Sequence, residues 1–141
     1  MIVDASALCA ILLNEPEASG MLKALEGSEG KVLISPVVRV ETTLRIARDF
    51  ADKRQSTHIN PADFDRAVDL IGALLEAIGA EEMHITESIG TQAIAALKAY
   101  GKVAGHPAKL NMGDAFAYAL AKEFHQPILY KGRDFIHTDL A

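Results

Sequence analysis

The sequence predicts an α/β fold, a central parallel sheet of four to five short strands flanked by helices. Apolar runs only a few residues long alternate with amphipathic segments of helical period along the whole chain. Helical segments separate each run from the next, so consecutive strands need crossover connections and run parallel. The length agrees: 141 residues, half of them apolar, suffice for one domain with a genuine core, taken here as residues 1–141.

In chain order, residues 2–4 within MIVDASAL form the first strand. Residues 6–13 read as a short helix, stopped by the turn Asn14-Glu15-Pro16. A second helix covers 17–25 and ends at Gly27 and Gly30, and strand two is 32–34. Ser35-Pro36 is a strong helix start, with Ser as N-cap and Pro at the first helical position. That third helix should reach about Phe50, and the polar stretch ADKRQSTHIN, 51–60, reads as a loop or frayed tip. Asn60-Pro61 repeats the cap logic for a fourth helix, to about Ile78. Strand three is placed at 82–85, and Thr86 caps a fifth helix that runs to about Tyr100. Residues 101–110 hold two glycines and a proline and form a loop. Asn111 caps the sixth helix, which ends near Phe124, and strand four is 127–130.

Composition excludes several classes. Charged residues make up 23 %, ordinary for a globular protein, and disorder is not expected. The single cysteine, Cys9, has no partner for an internal disulfide, which fits a reducing compartment, and its apolar surroundings make it buried filler. The N-terminus lacks a basic region, Asp4 interrupts the first apolar run, and no apolar stretch is long enough to span a bilayer. A cytoplasmic protein is expected. The net charge of −5 argues against a broad nucleic-acid-binding surface. The charge is uneven, however: residues 98–133 carry +4 and residues 1–97 carry −7. That split is either scatter on a solvated face or a basic rim beside an acidic pocket.

Four acids bear on the choice. Asp4 closes the first strand, and sites in parallel sheets form beyond the carboxyl ends of strands, where strand order switches. Glu41 shares a helical stripe with Val37, Val40 and Leu44, so it needs a partner such as Arg45, a metal, or a route to water. Asp114 stands third after the Asn111 cap, where a carboxylate complements the helix dipole and can bond back to the cap. Gly113 before it is a poor early-helix residue and suits close approach of another group. Asp134 follows strand four and reads alone as a turn acid. Each has a bland reading, but a helix that follows a strand starts at the strand's carboxyl end, so these positions can converge. Clustered carboxylates repel one another unless a cation joins them. Oxygen ligands suit a hard divalent ion, and the usual chemistry of such a site is phosphoryl transfer to a metal-activated water. The five histidines show no metal-ligand spacing and read as surface or structural.

MIVDASAL, ETTLRIA, LNMGDAFAYALAKE and PILYKGRDF together resemble a PIN-domain ribonuclease, specifically a VapC-type toxin of bacterial toxin–antitoxin pairs. The resemblance spans nearly the whole chain and is most specific over GHPAKLNMGDAFAYALAKE. It implies a PIN-like three-layer fold and a Mg²⁺- or Mn²⁺-dependent endoribonuclease that cleaves cellular RNA and arrests translation. By motif match Asp4 and Asp114 would hold metal, Glu41 would complete the pocket, Ser6 would orient a carboxylate or a metal-bound water, and Asn111 would cap helix six near the site. The family often places a fourth acid soon after the last strand; here that spot falls near Gly132, with Asp134 two residues on, either as a shifted fourth carboxylate or as a structural bond. Lys109, Lys131 and Arg133 flank the motifs as candidate RNA-backbone contacts. The resemblance also implies a homodimer and a small antitoxin whose C-terminal segment lies in an apolar groove and sends an Arg to the acids. Groove walls are expected at 6–13 and 17–25, with 48–66 contributing.

Two rival readings are weighed. A receiver-type domain needs a phospho-accepting Asp at the end of a central strand, and strands two and three end in Ile-Ser-Pro and His-Ile-Thr. A catalytically inactive interaction module on the PIN scaffold is the alternative that the offset fourth acid leaves open.

Overall fold

The structure is a computed structural model and describes residues 1–140. Four strands, β1 (Ile2–Val3), β2 (Val32–Ile34), β3 (Ala80–Glu82) and β4 (Ile128–Leu129), form one parallel sheet in the order β3-β2-β1-β4. The helices are α1 (Ala5–Leu12), α2 (Ala18–Glu26), α3 (Pro36–Lys53), α4 (Pro61–Ala77), α5 (Glu87–Tyr100) and α6 (Met112–Phe124). The chain builds outward from β1 through β2 to β3, then returns to the other side of β1 with β4. Strand order therefore reverses beside β1, and Asp4 is the residue that follows it.

Side-chain alternation along the strands divides the core in two. Ile2 and Leu33 point into a cluster with Ile89, Ala93, Ala115, Leu120 and Phe135, which belongs to the α5–α6 side. Val3, Val32 and Ile34 point the other way, onto Leu8, Met21, Leu25 and Val38. A third cluster, Ile46, Ala47, Ala67 and Ile71, seals α3 to α4. Helices thus cover both faces of the sheet, giving the expected three layers. The caps are those expected: Ser35 before α3, Asn60 before α4, Thr86 before α5 and Asn111 before α6 each accept a backbone N–H in the helix they start.

The structure differs from the sequence expectation in three places. Strand three lies at Ala80–Glu82, ahead of the expected 82–85, because Gly79 (φ 63°) turns the chain directly out of α4 and the pairing Val32↔Ala80 to Ile34↔Glu82 is set by β2. Helix α3 continues to Lys53: Ala51 extends the buried row below Ala47, one turn on, and the Arg48 guanidinium donates to Ser56 O (2.6 Å) and Thr57 O (3.0 Å) to hold the following loop. The stripe Val37–Val40–Leu44 does not face the core. The buried face of α3 is Val38, Thr42, Ile46 and Ala47, one position around. Thr42 can be fully buried because its hydroxyl donates to Val38 O at 2.7 Å.

Candidate active site

Asp4 is placed twice over, by the carboxyl end of β1 and as the N-cap of α1. Its Oδ2 accepts Ser6 N–H at 2.9 Å and the Ser6 hydroxyl at 2.5 Å. The Ser6 oxygen in turn accepts the backbone N–H of Lys131 at 2.9 Å, which leaves its one proton for Asp4. Strand four's exit thereby fixes a side chain that fixes the first carboxylate.

Asp114 uses a similar device. Its Oδ2 accepts Asn111 N–H at 2.8 Å while its own N–H donates to Asn111 Oδ1 at 3.0 Å, a reciprocal capping box. The capping role expected of this acid is real and occupies one carboxylate oxygen; Oδ1 lies outside these bonds. Glu41 reaches the same place from α3. Gly113 explains how: a Cβ built there would lie 2.1 Å from Glu41 Oε2. The glycine is the space that the Glu41 carboxylate occupies. Asp134 arrives after a turn at Gly132, whose φ of 105° is closed to most side chains. It makes no side-chain cap to the short 3₁₀ turn that follows, so its carboxylate is not spent structurally there.

All four carboxylates, with Ser6 and Asn111, line one cleft of about 300 Å³. Asp4 is 4 % exposed and Asp114 8 %, yet neither has a cationic partner. Burial raises the Asp4 carboxyl above its ordinary range, opposed by the Ser6 bonds, and the charge of Asp134 raises it further. Glu41 is raised by burial and then by Asp4. Asp114 is pushed up to about 7 by burial, with Asp4, Asp134 and Glu41 all adding to the shift. This mutual effect places the four acids within one another's fields.

The donor set is all oxygen, which suits Mg²⁺ or Mn²⁺. Among the described residues no three His, Cys, Asp or Glu side chains close around a single point. The glycine cradle and the uncompensated buried charge both fit a cation in this cleft.

The basic candidates divide. Lys131 lines the cleft, but its ammonium is paired with Glu15 at 2.6 Å and Glu17 at 3.4 Å. Lys109 and Arg133 are exposed and lie outside the cleft lining. Sequence reading missed Glu15 and Arg45 as cleft residues, and the Glu41–Arg45 pair it entertained does not form. Cys9 is buried as expected and also touches the cleft; burial pushes its thiol up to about 12, so it is no nucleophile. No histidine lines the cleft.

A groove of about 530 Å³ adjoins the acids, walled by Pro36, Val37, Val40 and Leu44 of α3 and by Met112 and Gly113, and meeting the cleft at Glu41 and Asn111. Val40, Leu44 and Met112 are 58 %, 48 % and 65 % exposed, so the stripe expected to be core is an open apolar wall. Of the groove walls expected earlier, α2 lines a smaller hollow with α4, at Leu22, Leu25, Leu74 and Ile78. No helix is long and apolar enough to cross a membrane among the described residues.

Comparison with known proteins agrees with this geometry. The PIN domain family model matches residues 1–140. A VapC ribonuclease of Rhizobium meliloti (R02377) is 42 % identical, covering 98 % of this chain and 97 % of its own. Ribonuclease VapC42 of Mycobacterium tuberculosis is 36 % identical, over 99 % and 96 % of the two chains. In fold, the chain resembles the M. tuberculosis toxin VapC20, described as cleaving the sarcin–ricin loop, with a TM-score of 0.69 at 16 % identity, over 96 % of this chain and 92 % of that one. It also resembles a chain of a toxin–antitoxin complex from Klebsiella pneumoniae, with a TM-score of 0.61 at 17 % identity, over 99 % and 92 %. The chain belongs to the PIN-domain family, among the VapC ribonucleases.

Proposed function

We propose that this chain is a ribonuclease toxin of the VapC type, acting in the cytoplasm on cellular RNA with Mg²⁺ or Mn²⁺. The observation that carries the reading is the convergence of Asp4, Glu41, Asp114 and Asp134 on one cleft beside the reversal of strand order, in a chain of this family. Asp4 and Asp114 would hold the metal, with Glu41 and Asp134 completing the acidic pocket. When bound, the ion supplies an activated water and offsets charge on the attacked phosphate. Ser6 keeps Asp4 oriented, and Asn111 keeps Asp114 oriented. The free acids together repel an RNA backbone, so the chain's own charge makes cation binding a precondition for substrate. Lys109 and Arg133, both exposed, are proposed backbone contacts; Lys131 joins them when the backbone competes for its ammonium with Glu15 and Glu17.

A small antitoxin and a second copy of the chain are the proposed protein partners. The open groove along α3 supports an apolar partner segment, because it runs into the acid cleft at Glu41, where a basic side chain of that segment would meet carboxylates. A calorimetric Mn²⁺ titration separates the enzyme from the inactive interaction module. The enzyme reading expects binding by the wild type and its loss in Asp4→Asn and Asp114→Asn. A wild type that binds no Mn²⁺ or Mg²⁺ overturns the enzyme reading. Sedimentation of the purified chain tests the dimer, with a monomer at micromolar concentration counting against it.

A further inference from the structure

Among the described residues, the acid cleft has two basic side chains in its lining, Lys131 and Arg45. They are not equivalent. The Lys131 ammonium is already held by Glu15 and Glu17. Arg45 stands on α3 one turn beyond Glu41, is exposed, and makes no ion pair and no side-chain hydrogen bond to protein, though five carboxylates share its cleft. The other arginines of α3 are used: Arg39 grips Glu82 with two nitrogens, and Arg48 holds Asp52 and the loop carbonyls beyond it. Arg45 alone among them points its chemistry at the cleft with nothing bound.

We propose that Arg45 is a substrate-positioning residue of this cleft, its guanidinium gripping a phosphate of the RNA strand next to the scissile one. The inference rests on the ribonuclease reading and adds to it a cleft residue on α3, whereas Lys109 and Arg133 lie outside the cleft lining. A guanidinium presents a planar fork of donors that matches two phosphate oxygens, and it stays charged at any working pH. Its place one helical turn from Glu41 puts the contact about 6 Å along the helix axis from the acid, close to the spacing of successive phosphates in an extended strand. An RNA strand entering the cleft would then meet the metal-binding acids with one phosphate and Arg45 with a neighbour.

The test measures binding of a fluorescent single-stranded RNA pool to the full chain carrying Glu41→Gln, which slows cleavage and keeps the proposed metal holders Asp4 and Asp114, with and without Arg45→Ala, over a salt series with Mn²⁺ present. Cleavage by wild type, Arg45→Ala and Arg45→Lys is measured alongside. The proposal expects Arg45→Ala to weaken RNA binding about tenfold and to lower the slope of log affinity against log salt by about 0.7, the value for one lost phosphate contact on a single strand. It expects KM to rise with kcat little changed, and Arg45→Lys to restore the salt slope but only part of the affinity. An unchanged salt slope and affinity in Arg45→Ala overturn the proposal, even where wild type cuts RNA normally. A change confined to Mn²⁺ affinity also overturns it, since Arg45 would then only offset the acids. Salt-sensitive binding through Arg45 in a wild type that never cuts would uphold the contact and overturn the nuclease reading.

Discussion

Replacing Gly113 with Ala separates the stability of this fold from its chemistry. A methyl group at position 113 would lie 2.1 Å from Glu41 Oε2 and 2.9 Å from Glu41 Cδ. Ordinary contact needs more than 3 Å, so the Glu41 carboxylate must retreat by about 1 Å or more, a displacement that costs on the order of a hundredfold where reacting groups are positioned. The carboxylate ends a flexible, half-exposed side chain, so it can move without disturbing the backbone. Alanine is also the better helix former, by up to about 1 kcal/mol. Gly113→Ala should therefore melt at or above the wild-type temperature while its cleavage rate falls about a hundredfold. Thermal unfolding by circular dichroism and cleavage of a labelled RNA pool measure the two sides. The double variant Gly113→Ala, Glu41→Gln should be little worse than Glu41→Gln alone, because both act through one carboxylate. A folded Gly113→Ala protein that cuts at the wild-type rate would refute the reasoning.

Other outcomes follow from the same geometry. Ser6→Ala removes the hydroxyl donor to Asp4 Oδ2, leaving only the backbone N–H at position 6, and orphans the partly buried Lys131 N–H, so stability should fall by about 1–3 kcal/mol and cleavage by about 10- to 100-fold; denaturant titration and the RNA assay read these. The raised Asp114 carboxyl, at about 7, means that the folded metal-free chain keeps a proton that the unfolded chain has released. Its destabilising effect is absent below pH 4 and complete above about pH 7, so the metal-free melting temperature should fall as pH rises through that window, and Asp114→Asn should flatten the fall. Mn²⁺ must displace the same proton, so its stabilisation should grow from pH 5 to pH 7, as a melting series with and without metal would measure. Val40→Glu places a charge on the open α3 wall; it should leave the unfolding free energy within about 0.5 kcal/mol of wild type and abolish capture by an antitoxin segment seated there, read by denaturant titration and a pull-down.

Much of this site was legible because local chemistry marks it. A cap residue must sit at a helix start, so Ser35, Asn60, Thr86 and Asn111 announced their positions, and Gly113 announced a close approach whose occupant is Glu41. What was not legible depends on neighbours distant in sequence. Periodicity on α3 offers two adjacent stripes, and the one with the larger aliphatic side chains, Val37, Val40 and Leu44, is the open wall, while Thr42 can be buried because its hydroxyl donates to Val38 O within its own helix. Strand β3 has little apolar character, with exposed Glu81 and Glu82, so only its pairing to β2 defines it. Arg45 read only as a partner for Glu41 and Glu15 only as part of a turn; packing α1, α3 and α6 around the end of β1 is what turns both toward one cleft. Lys131 was singled out for its charge, yet its backbone N–H, holding Ser6, is the group most closely tied to the site.

The central claim is that the acid cleft cuts RNA when it holds a divalent cation. It is tested most directly by incubating the purified chain with end-labelled total RNA in Mg²⁺, Mn²⁺ or EDTA, beside Asp4→Asn. The account predicts a few discrete cuts in metal, none in EDTA, and none with Asp4→Asn. Equal cutting by wild type and Asp4→Asn, or no cutting in either metal, would contradict it.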